Sequence, residues 1–188
     1  MDIVLASGSP RRRELLEMLG LEFTICPAKG EERPPEGAGP DKTVKALSLA
    51  KAQEVARLYP GALIIAADTI VWADGRILGK PKTHDEAKRM LSLLSDSNHE
   101  VYTGVTLICG EKTVCRSECT KVFFRDLGED EIDAYVRTGE PMDKAGAYGI
   151  QGRAALMVRR LEGDYFNVMG LPLCALGQML EEIGVHLF

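Results

Sequence analysis

The amino-acid sequence predicts an α/β protein, and two features of the chain carry this prediction. A short apolar run at residues 3–5 leads through a small-residue turn into a helix that starts near Pro10, which is the strand–turn–helix order of α/β folds. Residues 62–67 form a continuous apolar run, which is typical of a central strand covered on both faces. Further strands and helices along the chain fit the same class.

The composition is that of one globular domain, residues 1–188. The chain has 45% hydrophobic and 27% charged residues, which is ordinary for a folded protein. Its net charge of −5 argues against bulk binding to nucleic acid. Five cysteines without a framework spacing, no signal peptide and no apolar run of membrane-spanning length predict a reduced, cytoplasmic protein that does not enter membranes.

The turn after the first strand has the features of an anion site. Residues 7–9 read Ser-Gly-Ser, with Ser9 as the N-cap and Pro10 at the first helical position. The free amides and the positive end of such a helix attract phosphate. Arg11 and Arg12 lie in the first helical turn, where cations are unfavourable unless an anion is bound, and Arg12 shares the face of the apolar side chains. The alternative is a well-capped helix with solvated arginines.

A second strand is predicted at residues 22–26, and a polar loop at residues 27–40 follows it. The loop contains Glu31 and Glu32. Loops of this length inside compact domains are often functional. The alternative is a solvated acidic loop without a role.

Asp41 is predicted to cap a second helix that runs to about Tyr59. Lys51 falls in the middle of the inward stripe of this helix. A lysine at such a position must extend to solvent, form a pair or reach into a cavity. The apolar members of the stripe are Val44, Leu47, Val55 and Leu58.

The central apolar run is predicted to end at Asp68 and Thr69. Ligands of α/β sheets bind at such strand ends, and a partly desolvated carboxylate there suits metal coordination or general-base chemistry. The alternative is that Asp68 caps a turn. Lys80, in a Gly-Lys-Pro sequence, could reach the same edge of the sheet.

The cysteines at 109, 115 and 119 match no zinc pattern and are predicted to pack within strands. Local sequence signals predict the remaining elements. The predicted elements are a hairpin at Asp74–Gly75, a helix from the capping box Thr83–Glu86 to about Leu94, strands at 100–108 and 113–124, a helix at 129–137, a strand at 154–161 and a helix at 172–183.

A glycine-rich stretch at residues 141–152 is the second unusual segment. Glycines at three-residue spacing permit close backbone approach. Asp143 and Lys144 near its start and Gln151 near its end have the character of ligand-facing groups, since a glutamine amide can both donate to and accept from a base edge. The alternative is a structural turn.

Six sequence features, spread over nearly the whole chain, occur in a characteristic order and spacing. They are residues 5–12, Lys51, residues 67–71, residues 79–81, residues 143–152 and the paired segments 163–165 and 168–173. Together they resemble the Maf family of nucleoside triphosphate pyrophosphatases.

The resemblance implies an α/β fold with a bent mixed sheet flanked by helices and a cleft between two lobes. It implies hydrolysis of a nucleoside triphosphate to the monophosphate and pyrophosphate with Mg²⁺ or Mn²⁺. It places the catalytic aspartate at Asp68 and the acidic loop residue at Glu32, and both are candidate metal ligands. The remaining family positions fall on the lysines Lys51 and Lys80 and on a phosphate loop that contains Ser7, Ser9, Arg11 and Arg12.

Three positions distinguish substrate groups within the family. The group that resembles dTTP/UTP pyrophosphatases has arginine, threonine and glutamine there, and this chain has Arg11, Thr69 and Gln151. The resemblance therefore implies hydrolysis of dTTP, UTP or modified pyrimidine nucleotides, with Gln151 pairing with the pyrimidine edge. Asp143 and Lys144 belong to the same substrate-binding segment.

The alternative function is a nucleotide-binding regulator of cell division or septum formation that has no turnover. Such a protein would keep the phosphate-binding turn but would need no acidic pair, so the presence of Asp68 and Glu32 favours the enzyme. The resemblance also implies a homodimer. The predicted partner is a nucleoside triphosphate, with no nucleic acid and no membrane.

Overall fold

The computed structural model describes residues 1–187 of the chain, and Phe188, the last residue of the predicted single domain, lies outside the described residues. None of the helices in the described part is long and apolar enough to cross a membrane. The strands are β1 (Ile3–Leu5), β2 (Thr24–Ile25), β3 (Leu63–Ala73), β4 (Arg76–Leu78), β5 (Asn98–Cys109), β6 (Lys112–Phe124) and β7 (Val158–Glu162). The helices are α1 (Pro10–Met18), α2 (Pro40–Ala56), α3 (His84–Leu94), α4 (Glu129–Arg137), α5 (Tyr165–Met169) and α6 (Leu173–Glu182).

The strands form one mixed sheet of seven strands in the order β2-β1-β3-β5-β6-β7, and β4 pairs with β3. Strand β1 is parallel to both β2 and β3, whereas β3–β4 and β6–β7 are antiparallel. The predicted α/β class with a mixed sheet flanked by helices is confirmed.

Contacts along the chain define two compact units. Unit 1 comprises Met1–Asp68, Thr103–Glu118 and the chain from Gly170 onward, and unit 2 comprises Thr69–Tyr102 and Cys119–Met169. Strands β3, β5 and β6 contribute residues to both units.

The core of unit 1 follows the two-residue period of β1 and β3. Side chains at even-numbered positions of these strands pack together with Ala52 and Val55 of α2, because successive residues of a strand point to opposite faces. These residues, which lie in the two strands or directly at their ends, are Val4, Ala6, Ala62, Ile64 and Ala66.

Helix α2 lies directly on Gly104 of β5. A Cβ atom at Gly104 would stand 2.2 Å from the carbonyl oxygen of Val44, so any side chain there would displace the helix. Nearby, the hydroxyls of Ser48 and Thr106 are 2.9 Å apart and form a buried hydrogen bond. The absence of a side chain at one position of β5 therefore sets how closely α2 approaches the sheet.

The core of unit 2 is built by α3 and α4 together with residues of β3 to β7 and of the glycine-rich segment. At its centre the rings of His99, Phe124 and Tyr148 pack edge to face, with centroids 4.9 to 5.3 Å apart. Nε2 of His99 lies 2.8 Å from the Tyr148 hydroxyl. Burial lowers the pKa of His99 to about 4.

The structure corrects three predicted details of unit 1. Strand β2 contains two residues, fewer than the five predicted. Helix α2 is capped by Gly39 and starts at Pro40, one residue before the predicted cap Asp41, because proline is preorganised for the first helical position. Leu58 is 63% exposed, since α2 ends at Ala56 and the inward stripe ends with it.

Two further predictions are wrong in their boundaries. Strand β3 does not end at Asp68 but continues to Ala73, because the β-branched residues after Asp68 favour extended backbone. Residues predicted as the start of a strand at 154 instead form a 3₁₀ turn, Arg153–Leu156, and β7 begins only at Val158. The hairpin at residues 74–75, α3, α4, and the strands near 100–108 and 113–124 are confirmed.

Candidate active site

The register of the parallel strands brings three segments of unit 1 to the same edge of the sheet. Leu5 of β1 pairs with Ile25 of β2 on one side and with Ile65 of β3 on the other. The turn after β1, the loop after β2 and residues 66–68 of β3 therefore emerge side by side. Asp68 continues the even-numbered face of β3, which is the face that packs on α2.

The turn between β1 and α1 is closed by the Ser7 hydroxyl. Its Oγ accepts hydrogen bonds from the backbone N–H of Ser9 and from Nη1 of Arg12, both at 3.2 Å. Ser9 is the N-cap by its backbone, but its side chain makes no capping bond. Pro10 occupies the first helical position as predicted, and Arg11 beside it is half-buried. The Ser9 side chain thus leaves this end of α1 uncapped, and a helix N-terminus attracts anions.

Arg12 ties this turn to the segment before α6. Its Nε donates to the carbonyl oxygen of Gly170 at 2.7 Å, in addition to the bond to Ser7. Burial lowers the pKa of the Arg12 guanidinium, and the carboxylates of Asp68 and Glu32 act in the opposite direction. Arg12 thus stands in the electrostatic field of both predicted carboxylates.

Lys51 joins the two predicted carboxylates. Its Nζ lies 2.5 Å from Oδ1 of Asp68 and 2.8 Å from Oε1 of Glu32. The Asp68 side chain is only 9% exposed, whereas that of Glu32 is 60% exposed. The lysine that interrupts the inward stripe of α2 therefore forms an ion pair with a buried carboxylate, which offsets the cost of burying both charges.

The loop after β2 is held by α2 at two points. The first is the pair between Lys51 and Glu32, whereas Glu31 pairs with Arg33 at the surface. The second is Glu54, whose carboxylate accepts the backbone N–H groups of Lys29 at 2.7 Å and Gly30 at 2.9 Å. These two backbone bonds lower the pKa of Glu54. Sequence reasoning missed Glu54, although its position one helical turn after Lys51 is a signal that it shares that face.

The donor atoms in this cluster fit a hard divalent cation. Glu32 and Asp68 offer carboxylate oxygens held close to one nitrogen. Among residues 1–187, no group of three or more His, Cys, Asp or Glu side chains is arranged to hold a metal. Two carboxylates are nevertheless a usual protein contribution to a Mg²⁺ site, because Mg²⁺ keeps waters and binds substrate phosphates.

The other predicted residues lie in unit 2. The carbonyl oxygen of Gly79 accepts the N–H of Gly146 at 3.1 Å, which attaches the exposed Lys80 segment to the glycine-rich stretch. Gln151 at the end of that stretch is exposed. Thr69, the residue after Asp68, is half-buried and points to the opposite face of β3.

Asp143 and Lys144 are paired with each other. Nζ of Lys144 lies 2.6 Å from Oδ1 of Asp143 and donates to the carbonyl oxygen of Glu140 at 2.8 Å. The Lys144 side chain is 16% exposed, so its ammonium is engaged within the segment. Sequence reasoning missed Glu140, which has no signal in the spacing of the glycines.

The fold and this cluster define a class: an α/β protein that gathers cations and carboxylates at the carboxyl ends of parallel strands. The model of the family described as Maf-like protein matches residues 2–183, and the chain belongs to the Maf family.

Two proteins from bacteria are similar in sequence to almost the whole chain. A protein of Moorella thermoacetica named dTTP/UTP pyrophosphatase is 52% identical over 189 residues, which is 99% of this chain and 97% of that protein. A protein of the same name from Geobacillus sp. (strain WCH70) is 50% identical over 182 residues, covering 97% of this chain and 98% of its own length.

A solved structure shows the same fold at low identity. The Ham1 protein of Staphylococcus aureus is 14% identical, with a TM-score of 0.53 over 97% of this chain and 100% of that chain.

Proposed function

We propose that this protein is a nucleoside triphosphate pyrophosphatase that hydrolyses dTTP and UTP to the monophosphate and pyrophosphate. The observation that carries the proposal is the contact of the Lys51 ammonium with both Asp68 and Glu32, two carboxylates that also act electrostatically on Arg12 of α1. Support also comes from the relatives named dTTP/UTP pyrophosphatase, which are 50% and 52% identical over nearly the whole chain.

The phosphates are bound by the start of α1 and the cations near it. A triphosphate carries about four negative charges, and sharing them among fixed cations and amides is the main task in this class of reaction. In unit 1 the groups proposed for this task are the start of α1, Arg11, Arg12 and Lys51. Lys80 is assigned to the same task by the family resemblance.

Glu32 and Asp68 would hold the divalent cation, Mg²⁺ or Mn²⁺. When bound, the cation neutralises phosphate charge and makes pyrophosphate a better leaving group. Lys51 keeps the two carboxylates close together before any metal arrives, because the ammonium offsets their mutual repulsion.

Asp68 is the proposed general base. It accepts a proton from a water molecule whose oxygen attacks the α-phosphorus, while the bond from that phosphorus to the bridging oxygen breaks and its electrons leave with pyrophosphate. The β3 backbone and the Lys51 contact fix the carboxylate in position. Because the carboxylate is already oriented, the reaction does not bear the entropic cost of orienting a mobile general base.

The pyrimidine is recognised by residues that the resemblance assigns. Gln151 pairs with the base edge, and Arg11 and Thr69 accompany it in the dTTP/UTP group. Asp143 and Lys144 belong to the same segment. The exposed amide of Gln151 and its donor and acceptor atoms are consistent with this assignment.

Three further parts of the proposal concern the whole protein. Residues 1–188 act as one catalytic domain, which is in keeping with the family match over residues 2–183. The protein is a homodimer, for which the family resemblance is the support. It is cytoplasmic, in keeping with the free thiols of its five cysteines.

The test is pyrophosphate release from dTTP, UTP, dCTP and purine triphosphates with Mg²⁺ or Mn²⁺. We expect turnover of dTTP and UTP by the wild type, loss of at least about a hundredfold in kcat for Asp68→Asn, and unchanged activity for Asp2→Asn. Asp2 is an exposed aspartate of unit 1 and serves as the matched control. Tight binding of nucleotides without turnover would overturn the proposal and favour the regulator.

A further inference from the structure

The backbone around Gln151 is held in place from both sides. Gln151 itself is exposed, while Gly149 before it lies against the Lys144 side chain and Gly152 after it lies against the Glu140 side chain. We propose that Tyr135, Glu140 and Lys144 are positioning residues that fix the Gln151 amide and thereby set nucleobase selectivity. This inference rests on the proposed function.

Glu140 holds the residues that follow Gln151. Its Oε2 accepts the backbone N–H of Arg153 at 3.2 Å, and its Oε1 accepts the Tyr135 hydroxyl at 3.0 Å. A Cβ atom at Gly152 would lie 2.1 Å from Oε1, so the carboxylate occupies the space where any side chain of residue 152 would stand. A side chain at residue 152 would therefore displace the Glu140 carboxylate, which binds the chain just beyond Gln151.

Tyr135 connects this carboxylate to the other side of Gln151. Its hydroxyl donates to Glu140, and the backbone N–H of Gly149 is near enough to lower the pKa of the phenol. Burial raises the pKa of Tyr135, and the neighbouring Glu140 carboxylate raises it further, so the phenol keeps the proton that it donates. The Tyr135 side chain of α4 thus lies near the Gly149 backbone and holds the carboxylate that binds Arg153.

Lys144 supports the same segment from the start. Its ammonium bonds the carbonyl oxygen of Glu140 and the Asp143 carboxylate, and its alkyl chain lies against Gly149. A Cβ atom at Gly149 would be 2.6 Å from Cε of Lys144. The sequence predicts that this lysine faces the ligand. Its ammonium is instead paired within the segment, and its alkyl chain packs against the backbone that leads to Gln151.

The segment also contains one residue with strained backbone. Ala147 has φ 62°, in the left-handed region that is unfavourable for a residue with a side chain. A fixed backbone places the Cα of Gln151 at one position, so each staggered rotamer puts the amide at a defined point. Selectivity by hydrogen bonding requires an amide in a defined position, because a mismatched base is rejected only when the donor and acceptor cannot reorient to bind it.

The experiment measures kcat/KM for dTTP and dCTP in four variants. Glu140→Ala removes both bonds, Glu140→Gln keeps one acceptor, Tyr135→Phe removes one hydroxyl, and Glu129→Ala is the control. Glu129 is an exposed glutamate in the first turn of α4, outside this network. The measured quantity is the ratio of the two kcat/KM values, since a merely structural role lowers both together and leaves the ratio unchanged.

We expect the dTTP:dCTP ratio to fall about tenfold or more in Glu140→Ala, less in Tyr135→Phe and Glu140→Gln, and not at all in Glu129→Ala. The loss arises mainly through a higher KM for dTTP, because the fixed amide serves binding. Tyr135→Phe is the mildest change and keeps the test decisive if Glu140→Ala does not fold. An unchanged ratio in the folded variants overturns the inference.

Calorimetric binding of dTTP and dCTP repeats the comparison without turnover. A wild type that binds dTTP selectively but hydrolyses nothing refutes the proposed function, and the ratio of dissociation constants in the variants then decides the inference separately. Equal binding of dTTP and dCTP by the wild type refutes the inference, whatever the rate of hydrolysis.

Discussion

Lys51 is the side chain on which the candidate site depends most. Its ammonium contacts Asp68 at 2.5 Å and Glu32 at 2.8 Å and is itself only 17% exposed. Without it, two carboxylates would face each other in a partly buried place, where like charges are costly. The position of this lysine in an apolar stripe is visible in the sequence, but its two partners are visible only in the structure.

Arg12→Lys tests, at the level of one residue, the geometry of the turn between β1 and α1. Lysine keeps the positive charge but cannot reproduce the two bonds from Nε and Nη1 to Gly170 and Ser7. We expect kcat/KM for dTTP to fall about 10- to 100-fold, which corresponds to about 1.4 to 2.7 kcal/mol of transition-state stabilisation.

The control for this change is Arg13→Lys. Arg13 is the next residue of α1, is exposed and pairs with Glu17 at 2.7 Å on the outer face of the helix. Its replacement should leave kcat/KM within about twofold of the wild type, because exposed pairs contribute little. Full activity of Arg12→Lys would show that charge alone, rather than the two bonds of the Arg12 guanidinium, serves the site, and equal losses in the two variants would show that the effect is not specific to Arg12.

At the level of elements, local signals identified the helices and hairpin well. The predicted and observed bounds of α4 coincide, and the Asp74–Gly75 turn has positive φ at both residues, as a type I′ hairpin requires. Helix α5 was missed because it has only five residues. Its signal was Asp164, whose carboxylate accepts the N–H of Phe166 at 2.7 Å.

Strand β3 shows where local signals are insufficient. An aspartate disfavours a strand interior, so the run was predicted to end at Asp68. The carboxylate is tolerated inside β3 because Lys51, from a different element, neutralises it. An interaction between residues 17 positions apart in the chain cannot be read from the pattern of either segment.

The docking of α2 on β5 gives a prediction at this scale. Gly104→Ala places a Cβ atom 2.2 Å from the Val44 carbonyl oxygen, which pushes α2 and its Lys51 away from the sheet. We expect the free energy of unfolding in urea to fall by about 1–3 kcal/mol and kcat to fall with it.

The matched control is Gly177→Ala in the middle of α6. A Cβ atom there meets nothing within 4 Å, and alanine is a better helix former than glycine. The expected result is a gain of about 0.5–1 kcal/mol with unchanged kcat. A destabilised Gly177→Ala, or a fully stable Gly104→Ala, would contradict this account of helix packing.

For the molecule as a whole, much of the candidate site could be predicted because its residues have strong local signals. A serine-rich turn before a helix, a lysine in an apolar stripe and an aspartate after a buried run each stand out in the sequence. Glu54 and Glu140 could not be predicted, since their partners are backbone N–H groups of distant segments. In the sequence, Glu54 and Glu140 cannot be distinguished from any other acidic residue of a helix or turn.

The stability of the whole protein should depend on pH through His99. Its pKa is lowered to about 4 in the folded state by burial, and its Nδ1 has no hydrogen-bond partner among the described residues. The unfolded chain binds this proton near pH 6.5, so the stabilising contribution is complete above that pH and is lost as the pH falls from 6.5 towards 4.

Urea unfolding at pH 7 and pH 5 measures this loss. Relative to His99→Gln, the wild type should lose about 2 kcal/mol more between the two values. His84→Gln, which changes an exposed histidine at the start of α3, should keep the full pH dependence of the wild type. Identical pH profiles for the wild type and His99→Gln would refute this role of the buried imidazole.

The two attachments of α2 to the loop after β2 divide that loop into parts with different freedom to evolve. Residues 29–32 are tied to Lys51 and Glu54, whereas residues 33–37 beyond them are exposed. Lengthening an exposed loop costs little, because closure entropy grows only with the logarithm of its length. Residues 33–37 are therefore where insertions between relatives should accumulate, and where a fluorescent reporter could be grafted close to the substrate without entering its site.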